Sequence, residues 1–294
     1  MNAPPQRLAS LPRPGLGTAG LLVAPAVLLL LLLFVYPFVY GFVLSFVPIE
    51  GDWLSNYQKF FTQSRLWRTL PTTLELALPV TLINVGLAIP IALRLRRKST
   101  FQRWLTTLLV IPMTLGTVLI AEGMLTYFGP KGWLAQTLQI LHIYDGPIRL
   151  THNYWGVLIS LIISGFPFAF LLILSYATGI DPQLARAAAT LGANPWNQFR
   201  HIYLPLLAPG LAITFCLAFV QAFSVFPSAV LVGAPSGSTH VISIAAYEAA
   251  FEDYDYPLAS TAAMIMGFAQ LIVVAAVLGA RRGFYRGPAA GGKG

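Results

Sequence analysis

Charge is what this chain has least of. Ten Asp and Glu and eighteen Lys and Arg are spread over 294 residues. Charged side chains thus make up 10% of the sequence, where a soluble globular domain carries roughly 25%. Cysteine occurs once, as Cys216 inside an apolar run. It excludes a disulfide or cysteine-zinc framework and is read as a small buried apolar residue. No GxxxxGK[ST] loop is present, so no nucleotide-hydrolysing domain of that type is expected in the polypeptide. The four histidines, His142, His152, His201 and His240, are scattered over loops and flanks, and no tight catalytic constellation of Ser, His, Cys and acids is present. No catalytic residue and no metal site is therefore expected, and the acids lack EF-hand spacing.

What is present is apolar length. Hydrophobic residues make up 56% of the chain and fall in runs of about 20 residues, the length needed to cross a bilayer. Six spans are predicted, at 20–45, 70–92, 105–127, 154–177, 206–232 and 257–280. The fold class is an all-α polytopic membrane bundle of six helices. The first run is too long, and its approach too weakly basic, for a cleaved signal peptide, so it is read as a retained helix. Residues 1–19 and 281–294 are read as tails on the cytoplasmic side, the second Gly-rich and frayed, with 20–280 as the membrane domain.

The basic residues orient the bundle. With six spans both termini share a side, and on it fall Arg7, Arg13, Arg94, Arg96, Arg97, Lys98, Arg103, Arg186, Arg200, Arg281, Arg282, Arg286 and Lys293. Lys59, Arg65, Arg68, Lys131 and Arg149 fall on the other, with most of the acids. This positive-inside pattern predicts cytoplasmic termini. The net charge of +8 then reflects topology and is no evidence for nucleic-acid binding.

One connection on that side is built differently. Asp181-Pro182 is a helix start, since the carboxylate accepts from free amides and Pro loses no bond at the first helical position. Leu184, Ala188 and Leu191 recur at i, i+4 and i+7 as one apolar stripe, and Gly192 is suited to the left-handed residue that ends the helix. Asn194-Pro195 is a second start, followed by Trp196 and Phe199 on one face. Two short helices joined at Gly192-Ala193 are predicted. Physical chemistry alone leaves open whether they dock into a partner's groove or lie on the lipid headgroups.

The order Ala187-Ala188, Gly192-Ala193, Phe199, Ile202, Leu204-Pro205 and Pro209 resembles the EAA loop of binding-protein-dependent ABC importer permeases. Supporting likeness lies in LLVAPAVLLLLLLFVYPFVYGFVLSF, LSNYQKFF, NYWGVLI and YEAAFEDYDYPLASTAA, the last resembling polyamine-type and sugar-type permeases. The resemblance implies a coupling segment at 181–205 that inserts into an ATPase, carried by Leu184, Arg186, Ala187, Ala188, Leu191, Gly192, Ala193, Phe199 and Pro205. It implies a dimer of cytoplasmic ATPase subunits that uses ATP and magnesium, no cofactor on this chain, a second related but distinct permease, and an extracytoplasmic solute-binding protein. Two positions depart from the pattern: Arg186 stands where the family's glutamate is usual, and Thr190 where an acid is common. Reversed charge at such a contact alters partner choice.

For the solute path the polar residues at membrane depth are Glu75, Glu122, Asn84 and Gln221, which either line a wet path or sit at the interface or between helices. Carboxylates there would suit a cation, so a polyamine or related small polar solute is the first reading and a sugar the alternative. Pro79, Pro90, Pro112, Pro167 and Pro227 each remove a helical hydrogen bond and are candidate hinges. The outer acids Glu248, Glu252, Asp253 and Asp255, interleaved with Tyr247, Phe251, Tyr254 and Tyr256, are read either as a receiving surface for the binding protein or as a solvated loop. The rival from another class is a secondary transporter; it would show an internal repeat or a central charge pair, and neither is found.

Overall fold

The computed structural model describes residues 16–97, 99–130, 132–141 and 150–284. The readings made on Arg7, Arg13, Lys98, Lys131, His142, Arg149, Arg286 and Lys293, and on most of both tails, lie outside the described residues. Among the described residues six helical stretches are long and apolar enough to cross a membrane, and there is no strand. In hydrocarbon only internally satisfied backbones are tolerated, and helices are the form these apolar runs take.

The first span is α1 (Leu16–Leu30), a π-helical turn at Leu31–Val35, and α2 (Tyr36–Ser45). Pro37 has no amide proton for the carbonyl four residues earlier, and the wider π turn sits at that gap. Two short helices, α3 (Ser55–Thr62) and α4 (Ser64–Trp67), lead into α5 (Thr69–Leu95). After α6 (Thr100–Phe128) and the short α7 (Trp133–Ile140) comes α8 (Tyr154–Thr178). The polar connection holds α9 (Pro182–Thr190); α10 (Pro195–Gln198) runs through a second π turn at Phe199–Tyr203 into the fifth span, so the second of the two predicted short helices is the first turn of a 29-residue helix, Pro195–Phe223. The chain then continues through α11 (Leu204–Phe223), α12 (Pro227–Leu231), α13 (Ile242–Phe251) and α14 (Tyr256–Phe284).

The core is the packing of α5, α8 and α11 on one another, with α14 laid against α11 and α2. Toward the α13 end it is filled by Phe60, Leu76, Phe219, Phe223 and Ile242, and toward the α9 end by Ala88, Phe170, Ile173 and Leu207. Small residues let the helices close. A side chain at Gly210 would run into the Tyr176 ring, so α11 and α8 touch there only because position 210 has no Cβ. Within α5, Pro79 has no amide to offer the carbonyl of Glu75, and the Tyr154 hydroxyl donates to that carbonyl at 2.8 Å instead.

Predicted features are corrected at four places. The fifth span does not run to 232: α11 ends at Phe223, and Pro227 opens the separate helix α12. Phe226, the residue before α12, takes φ −135° and ψ −61°, outside the helical well. In the third span helical geometry breaks at Gly116, with φ 75° and ψ 164°, four residues after Pro112. The stretch read as an outer loop contains α13, whose Ile242, Ile244, Ala245 and Ala249 are buried. The helix that begins at Tyr256 continues to Phe284, into the segment read as frayed.

Candidate functional site

At the α9 end both helix starts form as their residues dictate. The Asp181 carboxylate accepts from the Gln183 amide at 2.8 Å, and the Asn194 side chain from the Asn197 amide at 2.8 Å, with Pro182 and Pro195 in the first turns. Gly192 takes φ 83°, a conformation in which a Cβ is strained, and the Ala193 amide donates to the Ala188 carbonyl at 3.0 Å. Gln198 Nε2 closes the corner by donating to the Ala193 carbonyl at 2.9 Å.

The apolar stripe on these helices has no cover. Ala185 is the buried residue of α9, whereas Leu184 is 47% exposed, Leu191 88% and Trp196 64%. Trp196 and Phe199 lie together, ring centroids 5.6 Å apart. Arg186 and Ala187 are exposed, and among the described residues Arg186 has no ion pair. Pro205 is exposed in the first turn of α11. Beside Leu184 a recess of about 360 Å³ is walled by Tyr176, Gly179, Ile180 and Leu206. Exposing two leucines and a tryptophan to water is unfavourable by about 2 kcal/mol for each large side chain left uncovered. The arrangement is that of a surface awaiting a partner or an interface.

Midway along the core is a cavity of about 290 Å³ where α5, α8 and α11 meet α12 and the Gly116 break of α6. Asn84 and Gln221 line it, as do Thr117, Ser164, Ser224 and Ser228, with Val80, Leu161 and Phe226 as apolar wall. No lining residue is ionisable. Asn84 is 2% exposed, its Oδ1 has no hydrogen-bond partner, and a Cβ at Gly165 would lie 2.6 Å from its Nδ2. A buried amide oxygen without a partner is unfavourable, so this atom is poised to accept from whatever enters. Gln270 Nε2 donates to Ser224 at 2.9 Å, and Ser160 donates to Ser228 at 3.0 Å, which fixes those two hydroxyls.

Sequence reasoning paired Asn84 and Gln221 with Glu75 and Glu122, but the cavity takes only the amides. Glu75 and Glu122 are exposed on this chain. At about 100° per residue, the nine residues between Glu75 and Asn84 turn a helix by about 180°, so the two occupy opposite faces of α5. The hydroxyl residues were missed because single Ser and Thr are common in membrane helices and carry no periodic signal. A larger apolar groove of about 580 Å³ lies between α2, α3 and α14. Its single hydroxyl, that of Tyr57, is engaged with Ser45 at 2.9 Å, and it has no group with which to orient a polar solute.

At the α13 end two of the four acids are paired. Glu248 accepts from Arg65 at 2.7 Å and meets His240 Nε2 at 3.1 Å, and Asp255 pairs with Lys59 at 3.1 Å. Asp255 also caps α14 through the Leu258 amide at 3.0 Å. Glu252 and Asp253 remain exposed.

Comparison with known proteins gives the fold and the family. The chain is similar to a probable starch degradation products transport system permease of Thermoanaerobacterium thermosulfurigenes, 24% identical over 258 residues, or 84% of this chain and 87% of the relative. It is also similar to a spermidine/putrescine transport system permease of Haemophilus influenzae, 30% identical over 154 residues, covering 52% of this chain and 54% of the relative. Its fold matches a chain in the crystal structure of a bacterial alginate ABC transporter in complex with an alginate pentasaccharide-bound periplasmic protein. The TM-score is 0.79 at 20% identity, covering 92% of this chain and 96% of that one. With six apolar helices, a polar mid-bundle cavity and a capped helical corner already in place, a family model matching residues 84–282 makes this chain a multi-pass ABC permease, a member of the binding-protein-dependent transport system inner membrane component family.

Proposed function

We propose that this permease carries a neutral, hydroxyl-rich solute of the sugar class as one subunit of an ATP-driven importer. The observation that carries the substrate reading is the cavity: two amides, several hydroxyls and one aromatic ring, with no ionisable residue. Such a lining exchanges hydrogen bonds with a polyhydroxyl solute and packs against its C–H faces. A polyamine would bring several positive charges into the bundle, where desolvation needs a carboxylate partner, and Glu75 and Glu122 face elsewhere. Coverage favours the same side, since the starch-product relative matches 84% of the chain and the polyamine relative 52%. The sugar reading thus replaces the polyamine reading as the one preferred.

In this reading α9 and α10 dock a cytoplasmic ATPase, which uses ATP and magnesium, and both termini share the cytoplasmic side of the inner membrane. The membrane domain is taken as 20–280 with tails at 1–19 and 281–294, α14 extending four residues into the second tail. A second, related permease completes the path, and a solute-binding protein delivers from the opposite side. Arg186 selects an ATPase with an acidic group at that contact, because a basic one there would cost several kcal/mol.

The test is uptake by membranes carrying the complex, with maltooligosaccharide, trehalose and spermidine as solutes. Uptake of one of the two saccharides, lowered about tenfold or more by Asn84→Leu and by Gln221→Leu with the complex intact, is expected. Spermidine uptake with neither saccharide carried would sink the substrate reading.

A further inference from the structure

Arg96 sits at the C-terminal cap of α5, in the basic turn toward α6. Its guanidinium carbon lies 4.5 Å from the centroid of the Tyr203 ring. Arg96 Nη1 is buried without a hydrogen-bond partner, so the ring face is the contact that holds this side of the cation. Tyr203 closes the π turn at Phe199–Tyr203, between the short helix α10 and α11.

That turn is compliant. A π turn widens the helix, Pro205 and Pro209 each remove an amide donor just after it, and Leu204 and Pro205 are exposed. Motion of α9 and α10 would be absorbed there unless something joins the turn to a stiffer element. α5 is stiffer: it stays helical through both its prolines and is buried on α8 and α11. It also carries Asn84, twelve residues from Arg96 and about 18 Å along the axis.

We propose that Arg96 and Tyr203 form a strut that transmits movement of the α9–α10 corner to α5 and so to the mid-bundle cavity. This rests on the reading of that corner as the ATPase dock. Arg96 is a positioning residue: it touches neither solute nor nucleotide. The strut needs a planar cation over a ring. Tyr203→Phe keeps it, Arg96→Lys weakens it because an ammonium is a more strongly hydrated point charge, and Arg96→Ala or Tyr203→Leu removes it.

The experiment uses the whole membrane complex with its ATPase and binding protein, reading pull-down, ATP hydrolysis and solute uptake together. With Arg96→Ala or Tyr203→Leu, the ATPase should stay bound and hydrolyse ATP, while uptake per ATP falls about tenfold, the size of an ordinary coupling term. Tyr203→Phe should match the unaltered chain. Normal uptake per ATP in both disruptive variants would overturn the strut, as would an equal defect in Tyr203→Phe. Should Arg96→Ala fail to assemble, a bismaleimide link between R96C and Y203C in a Cys216→Ala background decides. Continued uptake in the linked protein supports joint motion, and a stalled linked protein overturns it. An unaltered chain that holds no ATPase would strike the docking reading instead, and the strut with it.

Discussion

The two ends of this bundle are held in opposite ways. At the α13 end, ion pairs join Arg65 to Glu248 and Lys59 to Asp255. The Ser45 carbonyl accepts from Asn56 at 3.3 Å and from Thr261 at 3.1 Å, which ties α2, α3 and α14. The Ile242 amide donates to Thr73 at 3.0 Å, docking α13 on α5. At the α9 end the short helix α9 and the first turn of the fifth span are closed by their own caps and present Leu184, Leu191 and Trp196 outward. One end is tied together across its helices by its own polar groups, while Phe251 and Tyr254 stay exposed on it. The other satisfies its polar groups and leaves its apolar ones for something else.

Substitutions can break that contrast. The largest effect is expected at the uncovered end: Leu184→Asp or Leu191→Asp places a charge in the docking face, costing about 3 kcal/mol, or about a hundredfold in ATPase association. Pull-down of the ATPase measures it, and retained binding in both variants would show that the face is not the dock. The bundle itself should keep its thermal stability, because neither leucine is buried.

A smaller effect is expected from the caps. Asp181→Ala or Asn194→Ala should loosen the helical corner by about 1 kcal/mol. Faster amide hydrogen exchange across 182–198 would report it, with α13 unaffected. Exchange that rises equally at both ends would erase the distinction between them.

The smallest effect belongs to the paired end. Lys59→Ala should cost less than about 1 kcal/mol, since its side chain is 42% exposed and exposed pairs contribute little. The expected change in melting temperature is small and shrinks further with salt. A large loss would mean that the ion pairs, rather than the burial of α13, hold that end together.

How much was legible from the chain differs by element. The caps at Asp181 and Asn194 and the Gly192 terminus were readable because each depends on two or three adjacent residues. Asn84 and Gln221 were readable as polar residues in apolar runs. Their separation from Glu75 and Glu122 was not, because it depends on which helix face turns inward. The end of α11 at Phe223 was overrun because Ser224 to Leu231 is as apolar as the span before it, and the break is set by Pro227 and by packing on α8.

By itself, then, the sequence determined the six apolar helices, their basic asymmetry and the capped corner, since hydropathy, charge and capping act over short stretches of chain. Tertiary structure alone decided that the cavity is neutral, that Glu248 and Asp255 are paired, and that Arg96 meets Tyr203. Those contacts join residues up to 196 positions apart, as in Lys59 with Asp255, and local spacing holds no record of which faces the packing of helices will bring together.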